Sequence, residues 1–314
     1  TIGCKVFRFG WLEVFFHWEN GRSEPKYKSF FYQVQYRFKF GPTVRNVNNR
    51  LIEYAKRNHP DIVWFYNVQL ITAKTVKKLR KILPHAIFCQ YANDNPFSKN
   101  AKVGLWRHFL ASIPFFDVHF SYRQSNKVDY QSFGATKVHL LRSYFIPDVD
   151  FPVPMDDIPN KYKCDVVFAG HFENDGRIEM LEAICDEGYH LKLFGGGWNA
   201  ALPLLRSNSP LRKLYPIEPA VGENYRFAIC GAKIALCFLS SLNCDTYTRR
   251  NFQIPAMKTV MLSQYTEDLT SLFLPDKEAV FFNDKKELLE KLKLLLSNND
   301  LRDNIAKASY NRVY

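Results

Sequence analysis

Residues 234–256 read IALCFLSSLNCDTYTRRNFQIPA, and this stretch decides the fold class. The apolar run 234–239 has the length of a buried strand. Behind it, Asp245 and Gln253 stand eight positions apart, with Thr248, Arg249 and Arg250 between them, and 254–256 turn apolar again. A strand, a polar loop and a helix start in that order belong to an open α/β sheet, whose ligands bind at such loops. Guanidinium forks and the free N–H groups of a helix start both suit a phosphate. The expected ligand is therefore phosphorylated and nucleotide-bearing.

The same rhythm runs outward in both directions. Upstream, strands are expected at 61–66, 86–91, 118–121 and 138–141, with helices at 44–58, 73–83, 103–113 and 127–133. Gly134 suits the left-handed C-cap of the last of these. Alternation within 5–16 suggests a further strand near the start, and 27–40 is ambiguous. Residues 145–162 break the rhythm with four prolines and four aspartates, the best domain boundary in the chain. The pattern then restarts with strands at 165–169, 190–194, 234–239, 260–262 and 279–282. Helices are expected at 177–186, 222–230, 266–272, 285–297 and 299–311. Short strands alternating with helices indicate largely parallel, doubly wound sheets. The expected fold class is α/β, with two Rossmann-like doubly wound domains, 1–150 and 160–314, facing a cleft, where ligands gather.

Composition bounds the function. A chain of 314 residues has room for two cores. Its net charge of +12 nominates nucleic acid, an anionic membrane surface or a polyanionic substrate. No RNA-recognition signature, zinc-finger spacing or long basic tail is present, so no nucleic-acid partner is expected. Work at the cytoplasmic face of a membrane fits the charge equally well. The basic group 77–81 falls on a helix and reads as a solvated face. Seven cysteines without a Cys-x-x-Cys read as reduced thiols of a cytosolic protein. No apolar run reaches a membrane span, and no signal peptide is visible.

Four loops follow strands in the second half. In Gly170-His-Phe-Glu-Asn-Asp-Gly-Arg177, Gly170 permits close backbone approach. Arg177 opens a helix, where its charge opposes the dipole unless an anion compensates. The alternative is an ordinary exposed arginine. The glycines Gly195, Gly196 and Gly197 let a ligand or another backbone approach the strand end, or form a plain turn. They lack the Gly-x-Gly-x-x-Gly spacing, which disfavours a dinucleotide dehydrogenase. The third loop is 240–249. The fourth, 263–266, offers hydroxyls and an amide, with Thr266 also a candidate N-cap. In the first half, Asp94 of Asn93-Asp-Asn-Pro96 reads equally as a general base or as part of an Asx-turn. No Ser–His–Asp order and no helical histidine pair emerges, so no metal is expected.

With these loops in place, the chain resembles the GT-B glycosyltransferases, specifically their spore-maturation-type branch. That family's C-terminal pattern is R-x-F-E-x-P-A-x-G, a short apolar strand, T-x-x-L-x-x-L-F, E-x-V-x-F and E-L. Here the corresponding residues are Arg250-Asn-Phe-Gln-Ile-Pro-Ala-Met-Lys258, then 260–262, 266–273, Glu278-Ala-Val-Phe-Phe282 and Glu287-Leu288. Gly41-Pro42, His59-Pro-Asp-Ile-Val63, Asn93-Asp-Asn-Pro96 and Phe133-Gly-Ala135 extend the likeness into the first half. Many retaining members carry two glutamates, one at the donor sugar and one at the ribose. By position these are Asp245 and Gln253, both departures, and Lys258 replaces a customary glycine.

The resemblance implies an enzyme that moves a sugar from a nucleotide-diphosphate sugar to a glycan or lipid-linked saccharide, with no metal and no cofactor beyond that co-substrate. Gly170, His171, Arg177, Gly195, Gly196, Thr248, Arg249, Arg250 and Gln253 would bind the donor. Asp245 would face the sugar, and Asp94 would orient or deprotonate the acceptor. The implied location is cytoplasmic, at the inner face of an anionic membrane. The rival expectation is a non-catalytic GT-B-like module that binds a nucleotide or glycan.

Overall fold

The computed structural model describes residues 3–16, 30–100 and 104–314, and the backbone alone of 18–19 and 22–23. The chain divides into units Thr1–Arg142 and Ser143–Tyr314, each built on one parallel sheet.

The first unit opens differently from the expectation. No strand forms within 5–16. Instead Trp11–Phe16 is helix α1, because Trp11, Val14 and Phe15 recur at helical spacing and pack into the core with Phe9. A hairpin of β1 (Trp18–Glu19) and β2 (Arg22–Ser23) follows. The ambiguous 27–40 contains α2 (Phe30–Phe38), while 27–29 lie outside the described residues. Gly41 and Pro42 then start α3 (Pro42–Asn58), with proline in the first turn where no N–H is missed.

Strands β3 (Ile62–Tyr66), β4 (Ile87–Ala92), β5 (Val118–Ser121) and β6 (Val138–Leu140) pair in that order, all parallel. Between them run α4 (Ala73–Ile82), α5 (Arg107–Ser112) and α6 (Asn126–Ser132). The expected start of α5 at 103 lies outside the described residues. Because every crossover steps the same way and is right-handed, these helices lie on one face. Val63, Phe65 and Phe88 are packed on that face; Ile62, Trp64 and Tyr66, which alternate with them, are 57%, 47% and 50% exposed. Of the basic group 77–81, Leu79 is buried, Arg80 grips Asp117 through two bonds and Lys77 lies over Phe115.

The second unit begins with the proline-rich segment, whose Asp150, Ile158 and Tyr162 are buried. Strands β7 (Cys164–Ala169), β8 (Leu191–Phe194), β9 (Ala232–Cys237), β10 (Val260–Gln264) and β11 (Val280–Phe282) follow. With them alternate α7 (Arg177–Asp186), α8 (Glu223–Cys230), α9 (Arg250–Ala256) and α10 (Glu267–Leu272); α11 (Lys285–Ser297) and α12 (Asn299–Val313) close the chain. The spatial order is β11-β10-β9-β7-β8, all parallel. The chain steps from β7 to β8, then returns past β7 to β9. That reversal puts α7 and α11 on one face and α9 and α12 on the other. The sheet is therefore apolar on both sides, as the full burial of Phe168, Leu236 and Leu262 on one face and of Val167, Ala235 and Met261 on the other shows. No helix among the described residues is long and apolar enough to cross a membrane.

Candidate active site

Where strand order reverses, the loops after β7 and β9 separate and leave a crevice at the carboxyl edge of the sheet. The loop after β7 is shaped first by backbone contact. Gly170 N–H donates to the Phe194 carbonyl at 2.8 Å, and Phe172 N–H to the Gly196 carbonyl at 3.0 Å. Gly195 has φ +145, and a Cβ there would stand 1.9 Å from the Gly170 carbonyl oxygen. A side chain at Gly196 would meet the His171 ring at 3.1 Å. Of the readings open to the glycine run, close approach by another backbone is the one realised. Trp198 Nε1–H closes the arrangement by donating to the Gly170 carbonyl at 3.0 Å.

Arg177 turns inward instead of facing solvent. Its Nε and Nη2 donate to Asp175 at 2.7 and 2.5 Å, and Nη1 donates to the His171 carbonyl. Its guanidinium lies 5.7 and 5.8 Å from the Phe168 and Phe238 ring centroids. Paired and stacked, this cation ties the two ends of 171–177 together. The compensating anion at the helix start is thus the chain's own Asp175.

Arg250 is the contrasting case. Its Nη2 donates to the Phe238 carbonyl at 3.1 Å, and a Cβ on Gly170 would lie 3.3 Å from Nη1. Gly170 therefore leaves the room this guanidinium occupies. Arg250 forms no ion pair among the described residues, and its Nε is buried without a partner, as are Arg249 Nε and the Tyr225 hydroxyl. Burial works against the Arg250 charge, but Cys237, Tyr225 and Asp245 nearby outweigh it and hold the pKa above its ordinary value. Buried donors left without acceptors at a sheet edge mark a place shaped for an incoming group.

The residues around Arg250 divide between structure and site. Thr248 is buried; its N–H donates to Asn251 Oδ1 at 2.7 Å and its hydroxyl faces Cys237. Asn251 in turn donates to Ser263 at 3.1 Å, which locks α9 to β10. The N–H groups of Asn251, Phe252 and Gln253 bond to the Thr248 and Arg249 carbonyls. Three of the amides expected to be free at this helix start are consequently occupied. Arg249 is 42% exposed, lies over Tyr144 and sits 3.8 Å from Asp150. Gln253 Nε2 donates to the other oxygen of Asp150 at 2.9 Å. Thr266 is an N-cap, accepting from Leu269 N–H at 3.1 Å.

Residues 177–314 match the family described as glycosyl transferase-like. Among solved structures, HepE of Anabaena in complex with UDP and glucose matches with TM-score 0.66 at 9% identity, over 85% of this chain and 76% of that one. Sucrose-phosphate synthase from Thermosynechococcus elongatus matches with TM-score 0.62 at 11% identity, over 86% and 73%. The chain has the fold of the GT-B glycosyltransferases, and its residues 177–314 carry the glycosyl transferase-like pattern. No curated protein matches it by sequence. A further structural neighbour is the N-terminal domain of Candida albicans trehalose-6-phosphate phosphatase, with TM-score 0.60 at 11% identity over 96% of this chain and 74% of that one.

In the second unit, Gly170, His171, Gly195, Gly196 and Arg250 come together at the reversal of strand order, with Asp245 close enough to act on Arg250. Asp94 belongs to the first unit, on the loop after β4, and accepts from Asn67 Nδ2 at 3.3 Å. The Asx-turn of that loop is made by Asn95, whose Oδ1 accepts from Phe97 N–H at 3.0 Å. Three residues near the site escaped sequence reading. Asp150 lies in the segment that marks the domain boundary, Tyr225 one turn into a helix, and Glu173, which accepts from the Ser240 hydroxyl at 3.1 Å, in the loop that begins at Gly170. None has a sequence signal, because each gains its place only from a strand or helix distant in the chain. No group of three or more His, Cys, Asp or Glu suited to a metal ion occurs among the described residues.

Proposed function

We propose that the second unit holds a nucleoside-diphosphate sugar and that the enzyme transfers the sugar to a saccharide or lipid-linked acceptor without a bound divalent metal. The observation that carries this is Arg250, a half-buried guanidinium with no carboxylate partner among the described residues, beside a Tyr225 hydroxyl likewise without a partner among them. As the glycosidic bond to the donor breaks, the diphosphate gains negative charge. A preorganised cation at that point stabilises the transition state more than the ground state, and is catalytic for that reason. HepE, a neighbour in fold, was crystallised with UDP-glucose, which supports a donor of this class.

The remaining residues take graded roles. Arg249 adds positive charge at the rim, and Asp245 faces the sugar. Gly170, His171, Gly195 and Gly196 let the phosphates approach backbone. Arg177 and Thr248 hold the two loops in shape, and Gln253 meets the ribose. Asp94 orients or deprotonates the acceptor hydroxyl on the first unit's sheet edge. The net charge of +12 suits an acceptor at an anionic membrane on its cytoplasmic side.

The test is transfer and donor hydrolysis across a panel of nucleotide sugars, with and without EDTA, for the wild type and Arg250→Ala. Turnover that survives EDTA and collapses in the variant supports the reading. Failure of every nucleotide sugar to bind at millimolar concentration overturns it, and binding without turnover on a broad acceptor set leaves a binding module.

A further inference from the structure

The resembled family places a glutamate where this chain has Gln253. The structure supplies a reason. Gln253 Nε2 lies 2.9 Å from Asp150 Oδ1, and Asp150 is 2% exposed, on the segment leading into the second unit. The Asp150 carboxylate is anchored on its own turn. Its Oδ2 accepts from Ile146 N–H at 2.9 Å, and its backbone N–H donates to the Ile146 carbonyl at 2.7 Å. Arg249 stands 3.8 Å from the same oxygen.

We propose that Asp150 is the positioning residue that makes Gln253 present an acceptor oxygen to the nucleotide ribose. This rests on the donor-site reading above. A carboxylate has only lone pairs to offer, so the amide nitrogen of Gln253 must face it. The carboxamide is planar, and its Oε1 is thereby turned away from Asp150. A free glutamine can present either end, whereas this one presents the oxygen, as a glutamate would. A glutamate at this position would instead set two carboxylates within hydrogen-bond distance, where like charges repel. The change from glutamate to glutamine and the buried aspartate are thus two halves of one arrangement. The negative charge has moved one side chain back from the ligand, while the acceptor stays in place.

The test compares the wild type with Asp150→Asn, Gln253→Glu and the double variant. Binding of UDP, GDP, ADP and CDP is measured by calorimetry, and the tightest binder is then compared with its 2′-deoxy and 3′-deoxy forms. The wild type should lose about ten-fold in affinity when the contacted hydroxyl is removed. Asp150→Asn should bring that ratio close to one, because its amide can donate to Gln253 Oε1 and no longer holds that oxygen outward. Gln253→Glu should bind the ribonucleotide about ten-fold more weakly. The double variant should recover both affinity and ratio, since the amide introduced by the first change can donate to the carboxylate introduced by the second. A ratio unchanged in Asp150→Asn overturns the proposal, since a merely structural role would weaken ribo and deoxy forms alike. A double variant no better than Gln253→Glu overturns it too. A wild type that binds none of the four nucleotides overturns the donor-site reading, an outcome distinct from binding with an Asp150-independent ratio.

Discussion

The two sheets of this chain are built from the same repeating unit and differ in one step of their order. In the first, β3-β4-β5-β6 run one way; in the second, β11-β10-β9-β7-β8 reverse at β7. Right-handed crossovers turn that difference into two kinds of surface. The one-way sheet gathers its helices on one side, and Trp64 stacks near Phe120 at 4.9 Å on a face where Ile62 and Tyr66 are half exposed. The reversing sheet is covered on both sides. Its loops part at the reversal, and there Gly170, Arg250 and Tyr225 meet. A crevice is a consequence of strand order before it is a matter of side chains.

The largest effect that would sharpen this comparison is at Gly195. A methyl group there collides with backbone, so Gly195→Ala should cost more than about 3 kcal/mol in thermal or denaturant unfolding. Its counterpart in the first unit, Gly134 at φ +93 with Pro114 3.2 Å from a built Cβ, should cost only about 1–2 kcal/mol on change to alanine. Equal losses would break the claim that backbone approaches more closely at the reversal than at the helix cap of the first unit. Next, Arg250→Ala should lower kcat/KM for a nucleotide sugar about 100-fold, roughly 3 kcal/mol of transition-state stabilisation. Steady-state kinetics showing less than a few-fold loss would remove Arg250 from the site.

The first unit's own sensitivity lies at His119, fully buried on β5 with Nε2 3.0 Å from the Ile113 carbonyl. Burial, offset only partly by that bond, lowers its pKa from 6.5 to about 4. The unfolded chain therefore takes up the proton first as pH falls. Stability contributed by neutral His119 is present above about pH 6.5 and is lost progressively down to about pH 4. Unfolding between pH 7 and pH 5 should show a loss of about 2 kcal/mol that His119→Gln removes. Smaller again, Lys258 follows α9 at φ 57, a left-handed backbone that explains the glycine customary there. Lys258→Gly should raise stability by about 1 kcal/mol, seen as a higher Tm. Smallest of all, Trp64→Thr should shift stability by less than about 0.5 kcal/mol and leave nucleotide binding unchanged. A large loss would show that the exposed face is needed after all.

Much of the architecture was legible in the chain. Periodicity places every strand of both sheets to within two residues, and Gly134 and Thr266 occupy the caps their residue types predict. The failure near the start has a plain cause. Aromatic residues in 5–16 alternate over too short a span to separate a strand from one face of α1, and packing of Trp11, Val14 and Phe15 decided for the helix. The site was legible in part. Arg249 and Arg250 look alike in the sequence, yet one is exposed beside Asp150 and the other half-buried beside Gly170. Arg177, in the same kind of loop, closes on Asp175.

What the sequence alone determined was the alternation of strands and helices, the cysteines without paired spacing, and the loop 240–249 as a polar segment between a strand and a helix. These follow from local periodicity and residue type, which act over a few positions. What only the tertiary structure decided was which arginines pair with carboxylates, which glycine meets backbone, and that Gln253 is held by Asp150, 103 residues away. The reason is physical: charge pairing and steric exclusion act through space, and strand order sets who is near whom.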